Sequence, residues 1–137
     1  MNKREYIARG IICRRDEILL CKNVDHGHLY LPGGHVEDGE SSQEALKREM
    51  REESGREVIA TRFVTTFENE FTQNGREIQE RCDVYLAQLD IVEAVHSKEK
   101  HIGFQWISLD QLQTVRFLPE KILLTVLDII QANRSFW

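Results

Sequence analysis

The segment Gly33 to Gly55, GGHVEDGESSQEALKREMREESG, constrains this chain more than any other. Pro32-Gly33-Gly34 breaks the short apolar run Leu29-Tyr30-Leu31. Ser41 and Ser42 can cap a helix, and Glu44 follows Ser41 at capping-box spacing. From there to Ser54 the residues are good helix formers, with no Pro or Gly, and Gly55 is a natural C-terminal stop. The pattern predicts a helix with both ends set by local chemistry.

That helix is densely charged. Between Glu37 and Glu53 stand seven acids (Glu37, Asp38, Glu40, Glu44, Glu49, Glu52, Glu53) and three bases (Lys47, Arg48, Arg51). Their balance of −4 is nearly the whole net charge of the chain, −5. At roughly 100° per residue, Glu49, Glu52 and Glu53 share one face, with Glu44 on the opposite side. Leu46 and Met50 lie beside the acidic face and can anchor it to a core. Clustered carboxylates repel one another, and a hard divalent cation relieves that repulsion. Oxygen-only ligands favour Mg²⁺ or Mn²⁺. A solvated acidic face, with surface pairs such as Glu44–Arg48 and Arg48–Glu52, explains the same helix. On the helix alone both readings stand.

The whole segment resembles the Nudix box, G-x5-E-x7-R-E-U-x-E-E-x-G-U, where U is a bulky apolar residue. Gly34 is followed by five residues and Glu40, and seven more lead to Arg48-Glu49. Met50 fills the first U, and Glu52-Glu53, Ser54 and Gly55 follow. The last U position departs from the pattern: it holds Arg56, with Val58 available for the apolar contact. Tyr30-Leu31-Pro32-Gly33-Gly34 before the box is also family-like. So is Glu99 followed by Gln105-Trp106-Ile107-Ser108-Leu109.

The resemblance implies an α/β fold, a Nudix-type α-β-α sandwich with a mixed β-sheet, the box helix and a C-terminal helix. One domain over residues 1–137 is expected. The resemblance further implies that Glu52 and Glu53 bind divalent metal, and that Glu49 binds metal or serves as general base. Gly33 would offer its carbonyl to the metal. Arg48 would orient the carboxylates, Glu40 would play a structural part, and Glu99 is a candidate extra ligand or base. The implied activity is metal-dependent pyrophosphohydrolysis, with water attacking phosphorus. A phosphoanhydride bond of a nucleoside diphosphate derivative or nucleoside triphosphate would be cleaved. Mg²⁺ is the implied cofactor, and Mn²⁺ a substitute. The alternative is a non-catalytic Nudix-fold module that binds nucleotides for regulation. The size is similar to that of MutT-like members, but no residue past the box marks a particular substrate.

Elsewhere the chain reads as strands and helices in alternation. Ile7 to Cys13 and Ile18 to Cys21 look like a hairpin joined by Arg14-Arg15-Asp16-Glu17. Val58 to Phe71 and Ile78 to Leu89 flank Asn74-Gly75, a strong hairpin signal. Asp90 to Lys100 is a charged loop, Ile102 to Ile107 a strand, and Ser108 to Leu112 a helical turn. Pro119 to Gln131 is an amphipathic helix with Pro119 at or near its first turn, and Ile122, Val126 and Ile129 at helical spacing. This order implies a mixed sheet covered by helices.

The remaining features narrow the setting. Hydrophobic residues make up 41% and charged residues 30% of 137, an ordinary globular balance. An acidic chain is not expected to grip nucleic acid over a broad surface. Cys13, Cys21 and Cys82 show no CxxC pair, which points to core packing and a reducing cytoplasm. No apolar run suits a secretory leader or a membrane span. The expected partner is a small, nucleotide-derived phosphorylated substrate, without nucleic acid or membrane; a homodimer is left open. His26, His28 and His35 flank the glycine turn without partners at zinc spacing, and read as exposed loop residues or substrate contacts. Tyr30, Phe67 and Phe71 read as core packing, with base stacking as the alternative. Trp106 reads as a packing residue.

Overall fold

The computed structural model describes residues 2–137. In chain order it contains β1 (Asn2–Ile11), β2 (Cys13–Arg14), β3 (Glu17–Asn23), β4 (Leu29–Tyr30), β5 (Gly33–His35), α1 (Ser42–Ser54), β6 (Val58–Gln73), β7 (Arg76–Leu89), β8 (Ile102–Ser108) and α2 (Leu123–Ala132). Short 3₁₀ turns span Leu109–Thr114, Glu120–Ile122 and Arg134–Phe136. One sheet has the order β5-β1-β7-β6 and is mixed, because β1 and β7 run parallel while the other pairs are antiparallel. In the other, antiparallel sheet, β3 pairs with β2, β4 and β8.

Strand alternation sorts side chains into two cores. Ile7 and Ile11 of β1 join Val84 and Leu86 of β7 in one, which Val126 and Ile130 of α2 help to close. Ala8, followed by Ile12 just past β1, joins Ala87 and Leu89 in the other, closed by Leu46 and Met50 of α1. Strands buried on both faces read as continuous apolar runs, as Ile18-Leu19-Leu20 of β3 does. Helices therefore cover both sides of the strands, and the mixed α/β architecture expected from the sequence is the one observed.

Helix α1 ends as its caps dictate. The Ser41 hydroxyl accepts from the Glu44 N–H at 3.1 Å, and the Glu44 carboxylate accepts from the Ser41 N–H at 3.1 Å. Gly55, at φ 72°, takes the left-handed conformation and donates to the Arg51 carbonyl at 3.0 Å. Val58 is buried in the core beside α1, where the apolar residue missing at Arg56 was expected to be replaced. The Asn74-Gly75 turn has positive φ at both residues, as its hairpin requires.

Two expectations need correction. The run from Ile7 does not fold back on Ile18 to Cys21. Strand β1 instead pairs along its length with β7, and only Cys13–Arg14 turns back onto Glu17–Ile18. Apolar alternation marks a strand but does not name its partner. At the C-terminal helix, Pro119 is extended (ψ 134°) and precedes a 3₁₀ turn, so the α-helix starts at Leu123. Ile130 rather than Ile129 shares the buried stripe with Ile122 and Val126. Trp106 is half-buried, and the Arg14 guanidinium lies 4.2 Å from its ring centre.

A polar network fastens α1 to the sheet. The buried Asp83 of β7 accepts from the hydroxyls of Ser42 (2.8 Å), Thr66 (2.9 Å) and Tyr6. Burial works to raise its pKa, but these hydrogen bonds and the Arg81 charge overcome it and hold the carboxyl below its usual range. Asp83→Ala leaves those hydroxyls without their acceptor and is expected to destabilise by about 1–3 kcal/mol in urea unfolding. Asp25→Ala, in an exposed loop, should stay within about 0.5 kcal/mol of the parent.

Candidate functional site

The site is built where β5 meets α1. Strand β5 lies antiparallel to β1, with Arg9 opposite Gly33 and Ala8 opposite Gly34. Gly33 is required by its backbone contact, and a side chain at Gly34 would displace Glu49. A Cβ on Gly33, at φ 140°, would stand 1.9 Å from the Ala8 carbonyl oxygen. A Cβ on Gly34 would stand 2.4 Å from the carboxyl carbon of Glu49. The Glu49 carboxylate thus rests directly against the glycine backbone.

Of the three acids sharing one helical face, the structure brings two together. Glu49 is largely shielded (side chain 17% exposed), Glu53 is buried (7%), and the charge of Glu49 acts on the Glu53 carboxyl. Glu52 stays 54% exposed and turns toward Arg48. Among the described residues, no three His, Cys, Asp or Glu side chains are grouped so as to hold a metal ion. Glu44 points to solvent and serves the helix cap.

Arg48 organises the surrounding acids. Its guanidinium donates twice to Glu40, at 2.8 and 3.1 Å, and to the His35 carbonyl at 2.9 Å. It also reaches Glu49 at 3.1 Å and Glu52 at 3.2 Å. The Glu40 partner above all holds Arg48 in its charged form. Arg51 turns away to Glu57, at 2.7 and 2.9 Å. The box base therefore ties the loop before α1 to the acids on α1, and Glu40 acts through it.

Glu53 lacks such a partner. Burial, then the neighbouring Glu49 carboxylate, then the charge of Glu99, push its pKa from 4.5 up to about 8, against the opposing charge of Arg9. Glu99 reaches this neighbourhood because the Lys98 N–H donates to the Glu53 carbonyl at 2.7 Å, fixing the loop to the end of α1. The Glu99 carboxylate itself lies 3.3 Å from the His101 ring.

Glu49 and Glu53 open into a cavity of about 730 Å³ whose walls include Arg9, His28, Tyr30 and Phe71. Tyr30 and Phe71 thus face the cavity, while Phe67 packs partly against the core. His28 stacks at 6.1 Å on His26, and His35 lies 3.5 Å from Glu5. The sequence reasoning missed Arg9, Asn69 and Glu80, which also line the cavity. Arg9 carried a signal: it is a charge on the alternation that places Ile7 and Ile11 in the core. A second cavity, about 610 Å³ and lined in part by Arg14, Gln88 and Trp137, contains none of the α1 acids. No helix among the described residues is long and apolar enough to cross a membrane.

Comparison with known proteins bears on the family and the fold. The NUDIX domain family matches residues 4–125. The chain is 32% identical over 105 residues to the nucleoside triphosphatase NudI of Escherichia coli, covering 69% of this chain and 74% of that one. The MutT NUDIX hydrolase of Burkholderia pseudomallei superposes with a TM-score of 0.76 at 25% identity, over 90% of this chain and 97% of that one. A MutT structure from work on Aliivibrio salmonicida and Vibrio cholerae gives a TM-score of 0.69 at 29% identity, over 95% and 99%.

The raised pKa of Glu53 has a stability signature. A carboxyl whose folded pKa exceeds its unfolded value stabilises below the unfolded pKa, and that stabilisation is lost as pH rises through the folded value. In EDTA, the melting temperature of Glu53→Gln relative to the parent should therefore climb between pH 4.5 and about 8. A difference that stays constant over this window would show that Glu53 ionises normally in the fold.

Proposed function

The chain belongs to the Nudix family of hydrolases acting on phosphoanhydride bonds, and from that premise we propose a divalent-cation-dependent pyrophosphohydrolase of nucleoside triphosphates or nucleoside diphosphate derivatives. The observation that carries this reading is the Glu49 carboxylate, pressed against Gly34 with the buried Glu53 one helical turn further along α1. Two carboxyl groups this close need a proton or a cation between them. The available donors are oxygens, which suit Mg²⁺ or Mn²⁺ rather than zinc. Glu49 and Glu53 would hold the ion, with Glu52, Glu99 and the Gly33 carbonyl as further ligands. When bound, the cation neutralises phosphate charge and lowers the pKa of water.

The chain's own residues supply the rest. Arg48 fixes the rotamer of Glu49 while Glu40 and the His35 carbonyl fix Arg48. Glu49 or Glu99 takes the proton from the attacking water, and the phosphoanhydride oxygen leaves with the departing phosphate. The cavity beyond Glu49, with Tyr30 and Phe71 in its wall, has room for the nucleoside. The reading treats residues 1–137 as one domain. NudI, a nucleoside triphosphatase by name, supports the substrate class.

Hydrolysis of a panel of nucleoside triphosphates and diphosphate derivatives tests the proposal. It is read as phosphate after inorganic pyrophosphatase acts on the triphosphate products and alkaline phosphatase on those of the diphosphate derivatives. Activity is expected with Mg²⁺ and none in excess EDTA. Glu49→Gln and Glu53→Gln should each lose about 10–100-fold or more in turnover, since even a supporting residue around a metal contributes that much. Glu44→Gln, on the opposite side of α1, should match the parent. Equal activity in all three variants, or full activity in EDTA, would remove the assignment. Tight nucleotide binding without turnover would favour a binding module instead.

A further inference from the structure

Among the described residues, Arg9 is the only arginine or lysine lining the cavity that Glu49 and Glu53 share. It is half-buried, and its guanidinium donates one hydrogen bond, to the Leu31 carbonyl at 3.2 Å. Its other close neighbour is the Tyr30 ring, 5.4 Å from ring centre to guanidinium carbon. Among the described residues, no carboxylate stands within ion-pair distance of it. Arg48, by contrast, is ringed by four acids. The charge of Arg9 acts on Glu53 from a distance, without a direct ion pair, and a half-buried cation held this way gains from an anion that completes it.

The sheet register sets the backbone of Arg9 beside the glycine turn at the cavity wall. Arg9 pairs with Gly33, and the adjoining Gly34 forms the cradle of Glu49. The stacked ring and the Leu31 carbonyl hold the planar fork in place, leaving donors for an oxyanion.

On the function proposed above, we infer that Arg9 anchors the phosphate chain of the substrate, from the wall of the cavity that Glu49 and Glu53 also line. Glu49 and Glu53 attract the chain only through a cation. Arg9 binds it directly, by charge-assisted hydrogen bonds to non-bridging oxygens. The contact is with phosphate, so it is blind to the base.

Arg9→Met keeps the length and apolar stem and removes the charge. Hydrolysis of purine and pyrimidine nucleoside triphosphates in Mg²⁺ gives KM and kcat. Calorimetry with imidodiphosphate, which carries no base, reads binding without turnover. KM and the imidodiphosphate Kd should rise together by about 10–100-fold, as loss of a charged hydrogen bond implies. The rise should be equal for all bases, with kcat little changed. Arg9→Lys, which keeps the charge but not the fork, should fall between parent and Arg9→Met; it also carries the test if Arg9→Met fails to fold. An unchanged imidodiphosphate Kd, no imidodiphosphate binding by the parent, or a KM rise confined to one base would overturn the inference. If the parent hydrolyses no nucleotide, the functional reading falls, while the imidodiphosphate measurement still decides the role of Arg9.

Discussion

The close approach of the Glu49 carboxylate to Gly34 is the contact on which the rest of the site depends. No side chain larger than hydrogen fits between them. To hold that contact, β5 must lie on β1, and Gly33 must take a conformation that also brings it against the Ala8 carbonyl. Helix α1 must start and stop at fixed residues, so that Glu49 meets the turn and Glu53 lies one helical turn further, in the buried wall. The Ser41–Glu44 capping box and the left-handed Gly55 set those ends. Asp83 fixes the first turn of α1 to β7 through Ser42.

The acids of α1 divide into two electrostatic groups. Arg48 neutralises the first, Glu40 and Glu52, and touches Glu49 from the same side. Glu53 belongs to the second. It is buried, and it meets another carboxyl instead of a base. A fold that gives Glu40, Glu49 and Glu52 an arginine while leaving the buried Glu53 without an ion pair places its unfavourable energy at one point. Perturbed carboxyl groups in a cavity are a common mark of functional sites. Family membership, established by residues 4–125, gives that mark its chemical meaning.

What could be read from the sequence was local. Helix α1, its caps, the Asn74-Gly75 hairpin and the acidic face all rest on spacings of a few residues. The pairing of β1 with β7 joins residues some 75 apart, such as Ile7 and Cys82, and no periodicity announces it. The separation of Glu52 from Glu49 and Glu53 was equally hidden. Helical geometry places all three on one face, but the reach of Arg48 decides which way Glu52 turns. Asp83 looked like an ordinary strand residue, because its partners Tyr6, Ser42 and Thr66 come from three different elements. Glu99 was a candidate by resemblance alone, and the Lys98–Glu53 backbone bond is what carries it to the site.

The most direct test of this account is Mn²⁺ titration of Gly34→Ala followed by calorimetry. Gly34 has an ordinary backbone conformation, so alanine is tolerated there except for its contact with Glu49. The variant should keep the parent's circular dichroism and bind Mn²⁺ at least about tenfold more weakly, because Glu49 must swing out of its cradle. Mn²⁺ affinity equal to the parent's, in a folded variant, would contradict the claim that this contact builds the cation site.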